Sequence, residues 1–253
     1  MVTICDTLAT GGAFDRQEAR VTPGSSLSQR LPKLILASQS PRRRQLLTEY
    51  GLSHEAINPG VDDGTLHPGH VSAGQWVASL AFLKASAGAD ALRWSVWRDQ
   101  PTLVIGADTV CVKNGDFIGQ PRDEADAERI LRTLQKGSHE VVTGVALLSL
   151  TPGKGSRREV LVDRAQVHVG DIGDDRIRAY LDSGQWRGKA GAYNLGERIE
   201  AGWPIEYDGD PTTVMGLPMR ALIGRLNQIA AGAPRAGPLG GSGTLRLEQS
   251  PDA

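Results

Sequence analysis

Residues 33–51 read KLILASQSPRRRQLLTEYG. The first six, Lys33–Ser38, are a short apolar run suited to a buried strand. The pattern then changes at once. Ser40 suits a helix N-cap, Pro41 the first helical position and Gly51 the residue just past the last turn, which predicts a helix over Pro41–Tyr50. A strand that runs through a tight polar turn into a proline-started helix belongs to folds mixing both element types. Three arginines, Arg42, Arg43 and Arg44, stand in the first turn of that helix. Cations are disfavoured there, because the helix dipole already presents positive charge. Free N–H groups, the hydroxyls of Ser38 and Ser40, and guanidinium forks together suit a phosphate chain that would offset the cost. A solvated basic helix start or a serine-proline kinase site is the plainer alternative. Successive helical residues point about 100° apart, so the three arginines do not all face one ligand.

Outward from this stretch, strands and helices keep alternating. Val77–Ala87 is helical; Thr102–Gly106 is a buried strand, and Val110–Lys113 extends the same sheet region. Asp123–Gln135 is a helix capped by Asp123 and ended near Gly137. Val141–Leu150 and Val160–Val169 form long paired strands across a polar turn. Asp174–Ser183 and Leu217–Ile229 are helical, the latter with Pro218 at its start. The class is α/β, a mixed α+β arrangement with a long hairpin rather than a regular βαβ series. Residues 1–30 and 233–253 are polar and rich in Gly and Ser or Pro, which predicts a flexible extension and a flexible tail around one folded unit, 31–232.

With 253 residues the chain can bury a substantial core. Its 28 basic and 29 acidic side chains give a net charge of −1, which argues against nucleic acid as the main partner. Cys5 and Cys111 are too few for a disulfide framework and suit a reducing compartment. No apolar run reaches the ~18 residues of a membrane span, and Asp6 and Asp15 interrupt any secretory pattern at the N-terminus. A cytoplasmic protein without membrane or nucleic-acid partners is the expectation.

Two further stretches carry chemistry. In Gly106-Ala107-Asp108-Thr109 an apolar strand is expected to run straight into an acid and a hydroxyl, a placement that serves to hold a divalent ion or orient a water. A turn hydrogen bond from Asp108 to its own backbone is the alternative. Lys189-Ala190-Gly191-Ala192-Tyr193 is a small-residue turn that lets backbone approach a ligand closely. Lys84 sits on an otherwise apolar helical stretch. The histidines His54, His67, His70, His139 and His168 lack metal-ligand spacing and read as surface or strand-end residues. Trp186 reads as core, or else as a wall of a base pocket; Cys111 reads as a small buried hydrophobe.

Taken in order, LILASQSPRRRQLL, Lys84, VIGADTV, Pro121–Asp123, VVTGVAL, GKAGAY and VMGLPM resemble the Maf family of nucleotide pyrophosphatases over about residues 33–229. The resemblance implies a two-lobed fold, similar to that of inosine triphosphatases, around an elongated mixed sheet with a central cleft. It implies hydrolysis of a nucleoside triphosphate to monophosphate and diphosphate, with Mg²⁺ or Mn²⁺ as divalent metal cofactor. Asp108 takes the position of the catalytic acid that accepts the proton of the attacking water. Ser38, Arg42, Arg43, Lys84, Thr109 and Lys189 fall on substrate-facing positions, and Asp63 joins Asp108 as a metal ligand.

Two departures stand out. Gln120 replaces the lysine usual before Pro-Arg, and after the AGAY turn the customary glutamine position is Gly196, followed by Glu197. Arg42 and Thr109 match the branch acting on dTTP and UTP, whereas a nearby glutamate is a feature of the 7-methyl-GTP branch. The leading expectation is a dTTP/UTP or modified-pyrimidine pyrophosphatase. The alternatives are a 7-methyl-GTP pyrophosphatase and a nucleotide-binding regulator of cell division without turnover. A homodimer is implied by the family alone.

Overall fold

The computed structural model describes residues 25–61, 66–93, 95–97 and 99–232. In chain order the elements are α1 (Ser25–Arg30), β1 (Lys33–Ala37), α2 (Pro41–Glu49), β2 (His54–Ile57), α3 (Ala73–Leu92), β3 (Thr102–Lys113), β4 (Asp116–Ile118) and α4 (Glu124–Leu134). After these come β5 (Gly137–Thr151), β6 (Gly155–Val169), α5 (Asp174–Asp182), a 3₁₀ turn at Ala190–Ala192, α6 (Leu195–Glu200), β7 (Ile205–Asp208), α7 (Pro211–Val214) and α8 (Met219–Ala230). The strands form one mixed sheet in the order β2-β1-β3-β5-β6-β7, with β4 paired to the far end of β3. β1 runs parallel to both β2 and β3, and the remaining pairings are antiparallel.

The local signals in the decisive stretch are realised in the chain. Ser40 caps α2 by accepting from the Arg43 N–H, Pro41 opens the helix, and Gly51 follows it at φ 69°. α3 is longer than its apolar run because Ser72 and Gln75 form a capping box that starts the helix at Ala73, four residues upstream of Val77. Asp123 caps α4 through the Asp126 N–H. Residues 25–30, expected within a flexible extension, instead form α1. Leu27 on α1 is buried beside α8 residues Leu222 and Leu226, and this apolar anchor orders the segment. Residues 1–24 and 233–253 lie outside the described residues.

α3 covers one face of the sheet, where Ala81 and Ala85 pack on Ile35, Ala37, Val104 and Ala146, and Val77 packs on Val110 and Val142. The opposite face carries two clusters side by side. One joins α2 and α8 to β1 and the first half of β3; the other joins α4, α5 and the 3₁₀ turn to the second half of β3, β5 and β6. α3 seats unusually close to the sheet at three glycines. A Cβ at Gly88 would lie 2.6 Å from Ala37 Cβ, one at Gly106 would lie 2.2 Å from the Ala81 carbonyl oxygen, and one at Gly144 would lie 2.6 Å from Val77 backbone.

The sequence suggests a strand ending near Gly106; the structure corrects this. β3 is continuous over twelve residues, and Asp108 and Thr109 lie in its middle, opposite Gly144 and Thr143 of β5. What ends at this level is the neighbouring strand: β1 stops with Ala37 opposite Gly106, and β4 pairs only from Cys111 onward. Residues 107–110 therefore have β5 on one side and no described strand on the other. This window in the sheet is where the candidate site lies. Among the described residues, no helix is long and apolar enough to cross a membrane.

Candidate functional site

Residues alternate between faces along a strand, so Asp108 and Thr109 project on opposite sides of β3. Asp108 shares the α3 face with Gly106. The close seating of α3 at Gly106 and Gly144 brings Lys84, on the same helix, down to Asp108: Lys84 Nζ donates to Asp108 Oδ1 at 2.7 Å. The side chains are only 14% and 12% exposed, so water screens this pair much less than a surface one. A mid-helix lysine usually carries its charge out to solvent; here its ammonium meets the carboxylate at the window.

Thr109 shares the other face with the arginine turn. Arg43 Nε donates to the Gly216 carbonyl at 2.8 Å, Nη1 to Ser38 Oγ at 3.3 Å and Nη2 to Thr109 Oγ1 at 3.2 Å. Ser38 also accepts from the Ser40 N–H at 3.2 Å, which closes the turn on itself. Arg42 takes a separate direction. Its Nη1 donates to Gln45 at 3.0 Å and its Nη2 lies 2.6 Å from Met215 Sδ, while its buried Nε has no hydrogen-bond partner among the described residues. Arg44 is exposed, so the three arginines diverge as helical geometry requires.

Gly196, at the start of α6, faces Arg42: a Cβ there would stand 3.9 Å from Arg42 Nη2 and 3.7 Å from Met215 Cε, so a side chain has room. Lys189 Nζ donates to Glu197 Oε2 at 2.7 Å, with both ends partly exposed. The AGAY turn between them requires its glycine. Gly191 sits at φ 72°, and a Cβ there would lie 2.7 Å from Cys111 Sγ. Its N–H donates to the Gly119 carbonyl at 3.0 Å, next to the exposed Gln120. Burial pushes the Cys111 thiol up to about 12, which fits the inert hydrophobe expected of it.

The structure thus groups Ser38, Arg43 and Thr109, pairs Lys84 with Asp108, and sets Gly196 against Arg42 with Lys189 and Glu197 beyond. Asp63 lies outside the described residues. Trp186 is core: it is buried and its Nε1 donates to the Leu181 carbonyl at 3.1 Å. His139 departs from the surface or strand-end reading, because β5 starts earlier than expected and carries it inward against Tyr193, Nε2 to Oη 2.9 Å. Burial first, and then the nearby Lys113 charge, push its pKa down to about 4.

Several residues at this site escaped sequence reasoning: Thr143, Thr213, Met215 and Gly216. The VVTGVAL and VMGLPM stretches mark where they lie, but only the fold brings them together. Thr143 Oγ1 is 2.9 Å from Thr109 Oγ1 and donates to the Thr213 carbonyl at 2.8 Å, and the Thr213 hydroxyl donates to Asp163. A cavity of about 280 Å³ lined by Leu92, Trp97, Thr102 and Leu150 lies elsewhere, six residues along β3 from Asp108.

A family model described as Maf-like protein matches residues 33–229. A protein from Pelotomaculum thermopropionicum named dTTP/UTP pyrophosphatase is 37% identical over 198 residues, 78% of this chain and 97% of its own. Another of that name from an Anaeromyxobacter species is 37% identical over 188 residues, 74% of this chain and 84% of its own. Among solved structures, a nucleoside-triphosphatase/dITP/XTP pyrophosphatase from Mycobacterium abscessus aligns with 80% of this chain and 98% of its own at 16% identity and a TM-score of 0.32.

Proposed function

The chain belongs to the Maf family, and we propose that it is a nucleoside triphosphate pyrophosphatase that converts dTTP and UTP, or modified pyrimidine nucleotides, to the monophosphate and diphosphate. The names of its relatives support the substrate class. The observation that carries the reading is the meeting, at the window in β3, of an arginine-serine turn on one face with a carboxylate-ammonium pair on the other. Such an arrangement combines charge neutralisation for a triphosphate with a group that takes a proton.

In this reading a water attacks the α-phosphorus. Its oxygen bonds to phosphorus, the bond to the bridging oxygen of the β-phosphate breaks, and diphosphate leaves with that electron pair. Asp108 accepts the water's proton, and Lys84 holds the carboxylate in place. Arg43 and Arg42 bind phosphate oxygens. Ser38 accepts both of its hydrogen bonds, so its own proton is available to a phosphate. Lys189, Gly196 and Glu197 line the base side, and Thr109 lies against Arg43.

A divalent cation fits this donor set in one manner. Among the described residues, no group of three or more His, Cys, Asp or Glu side chains could hold a metal. Magnesium does not need such a cage, because it binds through one or two carboxylates together with substrate phosphates. Asp108, joined by Asp63, would hold it, and when bound it supplies positive charge at the phosphates. Two cysteines in the chain support a cytoplasmic setting, and a homodimer is part of the same proposal.

The test is a nucleotide panel: dTTP, UTP, CTP, modified pyrimidine triphosphates, 7-methyl-GTP and the common purines, with Mg²⁺ or Mn²⁺, scoring diphosphate against free phosphate. Diphosphate release from dTTP and UTP, reduced ~10²–10⁴-fold in Asp108→Asn with folding and nucleotide affinity retained, is the expected result. Release from 7-methyl-GTP alone would make Glu197 the better guide to the base. Binding without turnover on every nucleotide would leave the regulator reading.

A further inference from the structure

Nothing in the reaction so far uses Thr143, yet this β5 residue is wholly buried with its hydroxyl in two hydrogen bonds. Donor and acceptor chemistry fixes the direction of each bond. A hydroxyl has one proton. The Thr213 carbonyl can only accept, so the Thr143 proton points to it, at 2.8 Å. In the 2.9 Å contact between the two threonine hydroxyls the donor is therefore Thr109. At the other end a guanidinium can only donate, and Arg43 Nη2 gives its hydrogen to Thr109 Oγ1 at 3.2 Å. The result is a one-way chain from Arg43 to Thr109 to Thr143 to the Thr213 carbonyl. Its far end is anchored, because the Thr213 hydroxyl donates to Asp163 and the Thr213 N–H to the Asp210 carbonyl at 3.0 Å.

We propose that Thr143 is a positioning residue for Arg43, acting through Thr109: by taking the Thr109 proton it makes Thr109 an acceptor that holds the guanidinium and does not donate to the triphosphate. Thr109 and Ser38 thus divide their work. Both accept from Arg43, but only Ser38 retains a proton for a phosphate oxygen. The inference rests on the reading of Arg43 as a phosphate-binding residue.

The experiment is steady-state diphosphate release from UTP by wild type, Thr143→Val, Thr143→Ser, Arg43→Ala and the double variant Arg43→Ala/Thr143→Val, each checked for folding by circular dichroism. Thr143→Val keeps the shape and removes the hydroxyl. It is expected to raise KM roughly tenfold, the size of one net hydrogen bond, with kcat within about twofold. Thr143→Ser restores the wild-type KM. In the Arg43→Ala background Thr143→Val adds nothing, because the group it positions is already gone. Additive effects in the double variant, or failure of serine to rescue, overturn the proposal. An unchanged KM in Arg43→Ala overturns the phosphate reading itself, which is a separate outcome. If Thr143→Val does not fold, Thr109→Val breaks the same chain one link nearer the arginine, with the same expected KM. A further KM rise from Thr109→Val on Arg43→Ala would mean that Thr109 touches the nucleotide directly, and would overturn the proposal.

Discussion

Gly106 of β3 meets Ala81 of α3 backbone to backbone: a Cβ on the glycine would lie 2.2 Å from the Ala81 carbonyl oxygen and 2.5 Å from the Ala85 nitrogen. Neither backbone atom can move without moving the helix. Lys84 lies between these two helical residues, so the separation of helix and strand sets the reach of its ammonium to Asp108. Gly106→Ala is expected to destabilise the fold by about 3 kcal/mol, as overpacking does. It should also lower kcat by more than the folded fraction explains. Denaturant titration together with turnover per folded molecule checks both; a variant as active per folded molecule as wild type would show that helix seating does not set the pair.

Lys84 contributes a charge-assisted hydrogen bond inside a poorly hydrated site. Lys84→Met keeps the aliphatic stem and removes the ammonium. The loss of such a bond corresponds to about 1.5–3 kcal/mol, so kcat/KM for UTP should fall roughly 10–100-fold. Initial rates at low UTP measure this directly, and rates near wild type would remove Lys84 from the machinery.

Arg43 donates from three nitrogens to three acceptors that diverge from one another: the Gly216 carbonyl, Ser38 Oγ and Thr109 Oγ1. An ammonium is a point donor and cannot reproduce that fork. Arg43→Lys, although it conserves charge, is expected to raise KM for UTP nearly as much as Arg43→Ala, about tenfold or more. A lysine variant with the wild-type KM would mean that charge alone matters at this position.

His139 makes stability depend on pH. Its folded pKa is about 4, because burial and then Lys113 disfavour the imidazolium, whereas the unfolded value is 6.5. The unfolded chain therefore takes the proton first. The stability tied to the neutral ring is complete above about pH 6.5 and is lost as pH falls toward 4. Between pH 7 and pH 4.5 that loss is about 2.5 kcal/mol at 1.36 kcal/mol per unit. His139→Gln, which cannot titrate, should lose that much less than wild type over the same interval. Urea unfolding at the two pH values decides, and equal losses would count against the assignment.

What could be read from sequence followed the range of the interaction. The caps of α2 and α4 are local, set by Ser40, Pro41 and Asp123 within a few residues, and they are written in the chain. The paired strands β5 and β6 announce themselves by long apolar patterns. Asp108 was harder, because Gly and Asp weaken a strand reading. Only the seat for α3 at Gly106 and the facing Gly144 explain why β3 continues through them. β2 and β7, with sequences HEAI and IEYD, are short half-exposed strands with little apolar pattern. The links from Thr143 to Thr109 and Thr213 span 34 and 70 residues, and no local pattern encodes them.

β5 and β6 remain paired from Gly137 to Thr151, and β3 stays zipped to β5 from Thr102 to Val112. The two apolar clusters on the face opposite α3 therefore share one continuous hydrogen-bonded sheet. The same ladder that joins the two halves runs through Asp108 and Thr109 themselves, which pair with Gly144 and Thr143. The connections that border this shared sheet at the window are the Ser38–Pro41 turn, the AGAY turn and the segment from Thr213 to Pro218, so a change in any of them alters the site without disturbing the ladder beneath it.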